Sequence, residues 1–129
     1  METFTIYGDQ IECIADFYDQ INTLFMQGET WKIAQSLDAL HDLLSGGIGA
    51  VPPTNAFELQ WLHSAISRNR LGVKATEEYY LSKLSPHSPY NQAYFRQKLK
   101  ELQRDGAPTY YDMIREIISE HSRIQFREE

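Results

Sequence analysis

Phe57-Glu58-Leu59-Gln60-Trp61 alternates apolar and polar residues at every step, which puts Phe57, Leu59 and Trp61 on one face of an extended strand and Glu58 with Gln60 on the other. Two further stretches read the same way. From Thr3 to Tyr7 the alternation places Phe4 and Ile6 together, and Ile124-Gln125-Phe126 gives a third short strand. Helical stretches separate the three, far too long for hairpin turns, so the strands are expected to pair in parallel through right-handed crossovers. The predicted fold is α/β: one domain over residues 1–129, a three-stranded parallel sheet packed with helices.

The intervening segments carry helical periodicity. Residues 12–26 put Ile14, Phe17, Tyr18, Ile21 and Phe25 at helical spacing, with Gly28 as a stop. A loop over 27–35, bearing Trp31 and Lys32, leads to Ser36-Leu37-Asp38-Ala39-Leu40-His41-Asp42-Leu43-Leu44-Ser45-Gly46-Gly47. At ~100° per residue Leu37, Leu40, Leu43 and Leu44 gather on one side of a short helix, and Asp38, His41, Asp42 and Ser45 on the other. Ser36 is a natural N-cap and Gly46 a left-handed stop. Asp38 and Asp42, four residues apart, repel each other at a cost of roughly 0.2–0.5 kcal/mol. The glycines that follow, with Pro52-Pro53, form a loop whose backbone another molecule can approach closely.

Beyond the second strand, residues 62–71 and 74–84 predict two helices, the latter closed by Ser85-Pro86-His87-Ser88-Pro89. Ser88 and Pro89 then serve as N-cap and first residue of a helix reaching Gln103, with Phe95, Leu99 and Leu102 inward. After Gly106-Ala107-Pro108, Thr109 and Asp112 resemble a capping box for a last helix, in which Tyr110, Met113, Ile114, Ile117 and Ile118 form an unbroken apolar stripe. Trp61, Tyr79, Tyr80, Tyr110 and Tyr111 read as core and helix packing rather than as a stacking platform for bases. The run Arg96, Lys98, Lys100 and Arg104 reads as a solvated helix face.

Composition narrows the function classes. A chain of 129 residues buries a real core without disulfides or metal. Cys13 is the only cysteine, which rules out an internal disulfide and a thiolate-rich zinc site; within an apolar-periodic run it reads as a small core residue. No apolar run approaches the ~18 residues of a membrane span and no signal pattern opens the chain, so no membrane association and a cytoplasmic location are expected. Residues 1–62 carry nine acids against one base, Lys32, a net −8, whereas residues 63–129 carry nine acids against eleven Lys and Arg, a net +2. Such a field serves solubility; it also repels nucleic acid from the first half and draws basic surfaces toward it. An enzyme would use Asp38, His41 and Asp42, with His63 or Glu116, as acid/base groups or metal ligands. No phosphate-binding glycine loop, nucleophile elbow, His-Glu-x-x-His or paired-cysteine motif accompanies them, so no catalysis, cofactor or metal is expected.

The chain also resembles the barstar family of ribonuclease inhibitors. Tyr7-Gly8-Asp9-Gln10-Ile11 and the helix after it look like the opening of that family; residues 36–46 look like its inhibitory helix, with the Leu-Asp-Ala-Leu-x-Asp core intact. The neighbourhood of Glu58 and Trp61 is similar to its second strand, with a different spacing, and Asp105-Gly106-Ala107 with Arg115-Glu116 to positions at its last helix. Residues 3–72 and 104–126 are covered, and roughly 73–103 look like an insertion. The resemblance implies a protein that plugs the active site of a basic, secreted or toxin-type ribonuclease such as barnase. Asp38 and Asp42 would stand in for substrate phosphates, Glu116 would add an acidic contact and Gly46 a close backbone approach, with Trp31, Lys32, His41 and Ser45 completing the partner-binding set. His41 and Gly47 stand where the founding member has tryptophans, and Trp31-Lys32-Ile33 replaces a tyrosine-rich loop. These departures fall on the apolar part of the contact and bear on which nuclease is bound more than on how. The implied role is stoichiometric inhibition for toxin immunity or self-protection by a protein that is a monomer when free and makes no direct nucleic-acid contact. The alternative is an acidic interaction module, or an immunity protein for a toxin of another kind.

Overall fold

Three strands of matching alternation do form one sheet. The computed structural model of the chain describes residues 1–84, 90–105 and 108–129. Strands β1 (Thr3–Tyr7), β2 (Phe57–Leu62) and β3 (Ile124–Glu128) lie in that order, all parallel, with β2 central. The register aligns Phe4, Leu59 and Phe126 in one row and Ile6, Trp61 and Glu128 in another; they alternate with the rows Thr3, Glu58, Gln125 and Thr5, Gln60, Arg127. Every second residue of β2 is therefore fully buried, while its alternates are half-buried.

Parallel sheets are usually covered by helices on both faces. Here the second face of the central strand carries a polar ladder instead. Thr5 donates to Gln60 at 3.4 Å, Gln60 donates to Glu129 at 2.6 Å, and Arg127 pairs with Glu58 at 3.2 Å.

The apolar face receives α1 (Ile14–Phe25) and α6 (Tyr110–Ser119). Phe17 of α1 stacks on Trp61 at 5.4 Å and 14°, and Tyr111 of α6 meets the same indole edge-on at 5.1 Å. The two helices are tied by the hydroxyls of Tyr18 and Tyr110, 2.6 Å apart. Burial pushes the Tyr18 phenol up to about 12 and Tyr110 higher still, so both stay neutral. The Trp61 indole N–H donates to Ser67 Oγ at 2.9 Å, and Ser67 donates to the Gly8 carbonyl at 3.0 Å, which leaves this buried polar chain satisfied. Thr109 and Asp112 complete the capping box on α6.

Four other α-helices lie among the described residues: α2 (Leu37–Leu44), α3 (Ser64–Arg70), α4 (Val73–Lys83) and α5 (Gln92–Asp105). α4 is anchored to α6 through Thr76, whose buried hydroxyl accepts the Tyr110 N–H and donates to the Gly72 carbonyl, both at 2.7 Å. Tyr80, Tyr110 and Tyr111 are buried and Tyr79 packs half-buried against the core, as their spacing predicts.

Several boundaries differ from the sequence reading. Cys13 is exposed, not in the core: it is the extended N-cap residue of α1, one position before the apolar stripe starts at Ile14. Leu62 ends β2 rather than opening a helix, because His63 turns the chain at a left-handed φ of 53° and α3 starts at Ser64. β3 runs two residues further than Phe126, its end being formed by Arg127 and Glu128. The expected cap at Ser88 and Pro89, and the break at Gly106-Ala107, lie outside the described residues.

Candidate functional site

The helix α2 is seated by its leucines. Leu40, Leu43 and Leu44 are buried and Leu37 is half-buried, which leaves Asp38 and Asp42 in solvent. Ser36 caps the helix, accepting the Ala39 N–H at 3.1 Å. Asp38 lies in the first turn, where the helix dipole welcomes a carboxylate; Asp42 lies in the last, where the dipole opposes one by about 0.3–1 kcal/mol. Among the described residues neither carboxylate is ion-paired. One acid of the pair is thus placed against its own helix and left without compensation.

The C-terminal end of α2 is held by a residue that sequence reasoning missed. Arg123, in the turn before β3, donates to the carbonyls of Ser45 at 3.0 Å, Pro52 at 2.8 Å and Asn55 at 2.9 Å. Ser45 therefore faces solvent with its side chain folded back on the His41 carbonyl at 3.0 Å. Gly46 adopts φ +103°, and a Cβ there would lie 2.6 Å from the Arg123 guanidinium and 2.8 Å from the Pro52 oxygen. The close approach made by Gly46 is thus to its own chain. No local pattern could reveal Arg123, because its acceptors are backbone oxygens 68 to 78 residues away.

His41 is half-buried and engaged within the fold. Its Nε2 lies 3.2 Å from Glu120 Oε2 at the end of α6, and its ring is 4.7 Å from that of His121. His121 has a buried Nε2 without a partner among the described residues. Desolvation foremost, then His41 and Arg123, hold its pKa below the ordinary 6.5, against the opposing pull of Glu120. A depressed histidine takes its proton at lower pH when folded than when unfolded. The stability it contributes is complete above about pH 6.5 and is lost as pH falls through the folded pKa. Thermal melting between about pH 7.5 and 5 is expected to show a smaller loss of midpoint for His121→Asn than for the wild-type chain; equal losses would remove His121 as a source of acid sensitivity.

The remaining expected site residues are dispersed. Trp31, 51% exposed, and Lys32 line an open depression of about 590 Å³ with Asp19 and Thr23 of α1 and Met26 at its end. Glu116 projects from α6 into a groove of about 190 Å³ with Tyr80, Tyr94, Lys98 and Met113. Asp38 lines a neighbouring groove of about 320 Å³ whose walls include the same Tyr80, Tyr94 and Met113. Asp38 and Glu116 thus flank one aromatic surface supplied by α4 and α5.

Among the described residues no three His, Cys, Asp or Glu side chains converge as a metal site, and no helix is long and apolar enough to cross a membrane. No family model matches the chain, and no curated protein matches it.

Proposed function

We propose that this protein is a stoichiometric inhibitor of a ribonuclease, acting in the cytoplasm of the cell it protects and occluding the enzyme's basic active site with the solvent face of α2. The observation that carries the reading is the Asp38–Asp42 pair: two exposed carboxylates that form no ion pair among the described residues, on a helix fixed at both ends, one of them opposed by the helix dipole. A ribonuclease must hold an anionic backbone, so its active site presents Arg, Lys and His, for which such a face is complementary at long range and on contact. The resemblance of residues 36–46 to the inhibitory helix of the barstar family supports the same reading.

Titration of a panel of secreted ribonucleases, barnase included, tests it. One member is expected to lose activity at a one-to-one ratio. The association rate with that enzyme is expected to fall steeply as salt rises, because exposed charges are screened beyond about 8–10 Å at 0.1–0.15 M. A salt-independent rate would count against electrostatic steering, and an uninhibited panel would favour an interaction module for another basic target.

A further inference from the structure

We propose that the notch between α2 and the α4–α5 pair is a guanidinium subsite, which takes an arginine from the rim of the basic partner and carries the contact of the acidic helix onto Tyr79, Tyr90 and Tyr94. The partner's identity rests on the inhibitor reading above; the subsite rests on its own geometry. Asp38, Tyr79, Tyr90, Tyr94 and Phe95 line the one groove. The rings are braced against one another: Tyr79 meets the buried Tyr110 at 5.0 Å and 66°, while Tyr90 and Tyr94 meet Phe95 edge-on at 5.8 and 5.1 Å. Tyr90 and Tyr94 are nonetheless 49% and 53% exposed. Half-exposed, laterally supported tyrosines have the composition and rigidity of interface hot spots.

The notch already holds a cation. The Lys83 ammonium sits 4.1 Å from the Tyr90 ring centroid and 5.1 Å from that of Tyr79. A positive group is thus attracted by the two ring quadrupoles, and Asp38 lines the same groove. Burial foremost, then Tyr90 and the Asp38 charge, raises the Tyr79 pKa. An arginine is better suited to the place than Lys83, because guanidinium is planar, weakly hydrated and stacks on aromatic faces, whereas the ammonium gains more by returning to water on its flexible stem. A nucleic-acid strand could also stack on tyrosines beside Lys83 and Lys98. Asp38 and Glu116, exposed on either flank of the aromatic surface, oppose its phosphates.

The test uses the whole chain with a hexa-arginine peptide, read by the aromatic NMR signals of Tyr79, Tyr90 and Tyr94. Saturable shifts are expected, with affinity about two- to fivefold tighter in Lys83→Ala, which vacates the notch, and lost in Tyr90→Leu with Tyr94→Leu at unchanged circular dichroism. Absence of saturable shifts in Lys83→Ala, or persistence of peptide affinity in the tyrosine double variant, overturns the subsite. So does a response of the same rings to oligouridylate but not to the peptide. Ribonuclease inhibition measured separately keeps the two ideas apart. Inhibition without the peptide response removes only the subsite, and the peptide response without inhibition of any ribonuclease removes only the parent reading.

Discussion

Replacement of both exposed carboxylates, Asp38→Asn together with Asp42→Asn, is expected to weaken inhibition of the target ribonuclease roughly a thousandfold while leaving the fold intact. In the proposed complex each carboxylate, desolvated against arginines and lysines, would be a hot spot of about 2 kcal/mol or more, and 1.4 kcal/mol is a factor of ten. Asparagine keeps the shape and removes the charge, so the loss reports electrostatics rather than packing. In the free protein the two changes offset each other: Asp38→Asn gives up a favourable dipole contact, Asp42→Asn removes an unfavourable one, and their mutual repulsion of roughly 0.2–0.5 kcal/mol disappears. Inhibition constants and melting midpoints measured on the same samples check both halves. An unchanged inhibition constant would refute the anionic plug, and a large drop in the midpoint would show that the pair serves stability instead.

The second large effect concerns the scaffold. Trp61→Ala is expected to cost about 3–5 kcal/mol of the roughly 5–15 kcal/mol that holds a domain of this kind together. The indole is fully buried, stacked on Phe17, edge-on to Tyr111, and near Phe126 at 6.4 Å. Its removal would open a cavity against both α1 and α6 and strip Ser67 of the N–H that it accepts. Urea unfolding followed by circular dichroism is the direct measurement. Trp61→Phe, which refills most of the volume without restoring the donor, should recover the greater part of the loss. If the alanine variant lost less than about 1 kcal/mol, Trp61 would not be the keystone that its position at the centre of the sheet indicates.

How much of this was legible beforehand depended on whether the signal was local. The strands were, because one buried face forces strict alternation over Phe57, Leu59 and Trp61, and the same rule places Phe4 with Ile6. The amphipathic stripes of α1, α2 and α6 were equally plain. Cys13 misled because an apolar-looking run does not mark which residue precedes its first helical turn. The last two residues of β3 were hidden because Arg127 and Glu128 satisfy their charges on other elements: Arg127 pairs with Glu58 of β2, while Arg68 of α3 and Arg115 of α6 bind Glu128.

At the candidate site, the exposure of Asp38 and Asp42 on the solvent side of α2 was readable from spacing alone. The Arg123 clamp and the His41–Glu120 pair were not, since each joins positions about 70 to 80 residues apart. The aromatic surface of Tyr90 and Tyr94 escaped notice for another reason. Helix α5 is rich in Arg, Lys and Gln, so the exposed Tyr94 in it and Tyr90 just before it look like ordinary members of a polar face until α2 and α6 are brought beside them.

The register of the sheet has a kinetic consequence. Every β1–β2 pair joins residues 55 apart in the chain, and every β2–β3 pair joins residues 67 apart. No strand can find its neighbour by a short excursion, and loop-closure entropy is spent before any ladder bond is gained. The α4–α5 pair, by contrast, packs between near neighbours in sequence and can assemble while the sheet is still open. Helix α2 lies within the long β1–β2 excursion, so its carboxylates acquire their final aim only when that excursion closes. The delay before a newly made chain presents its acidic face is therefore set by topology, on the slower timescale of non-local pairing rather than the microseconds of helix formation.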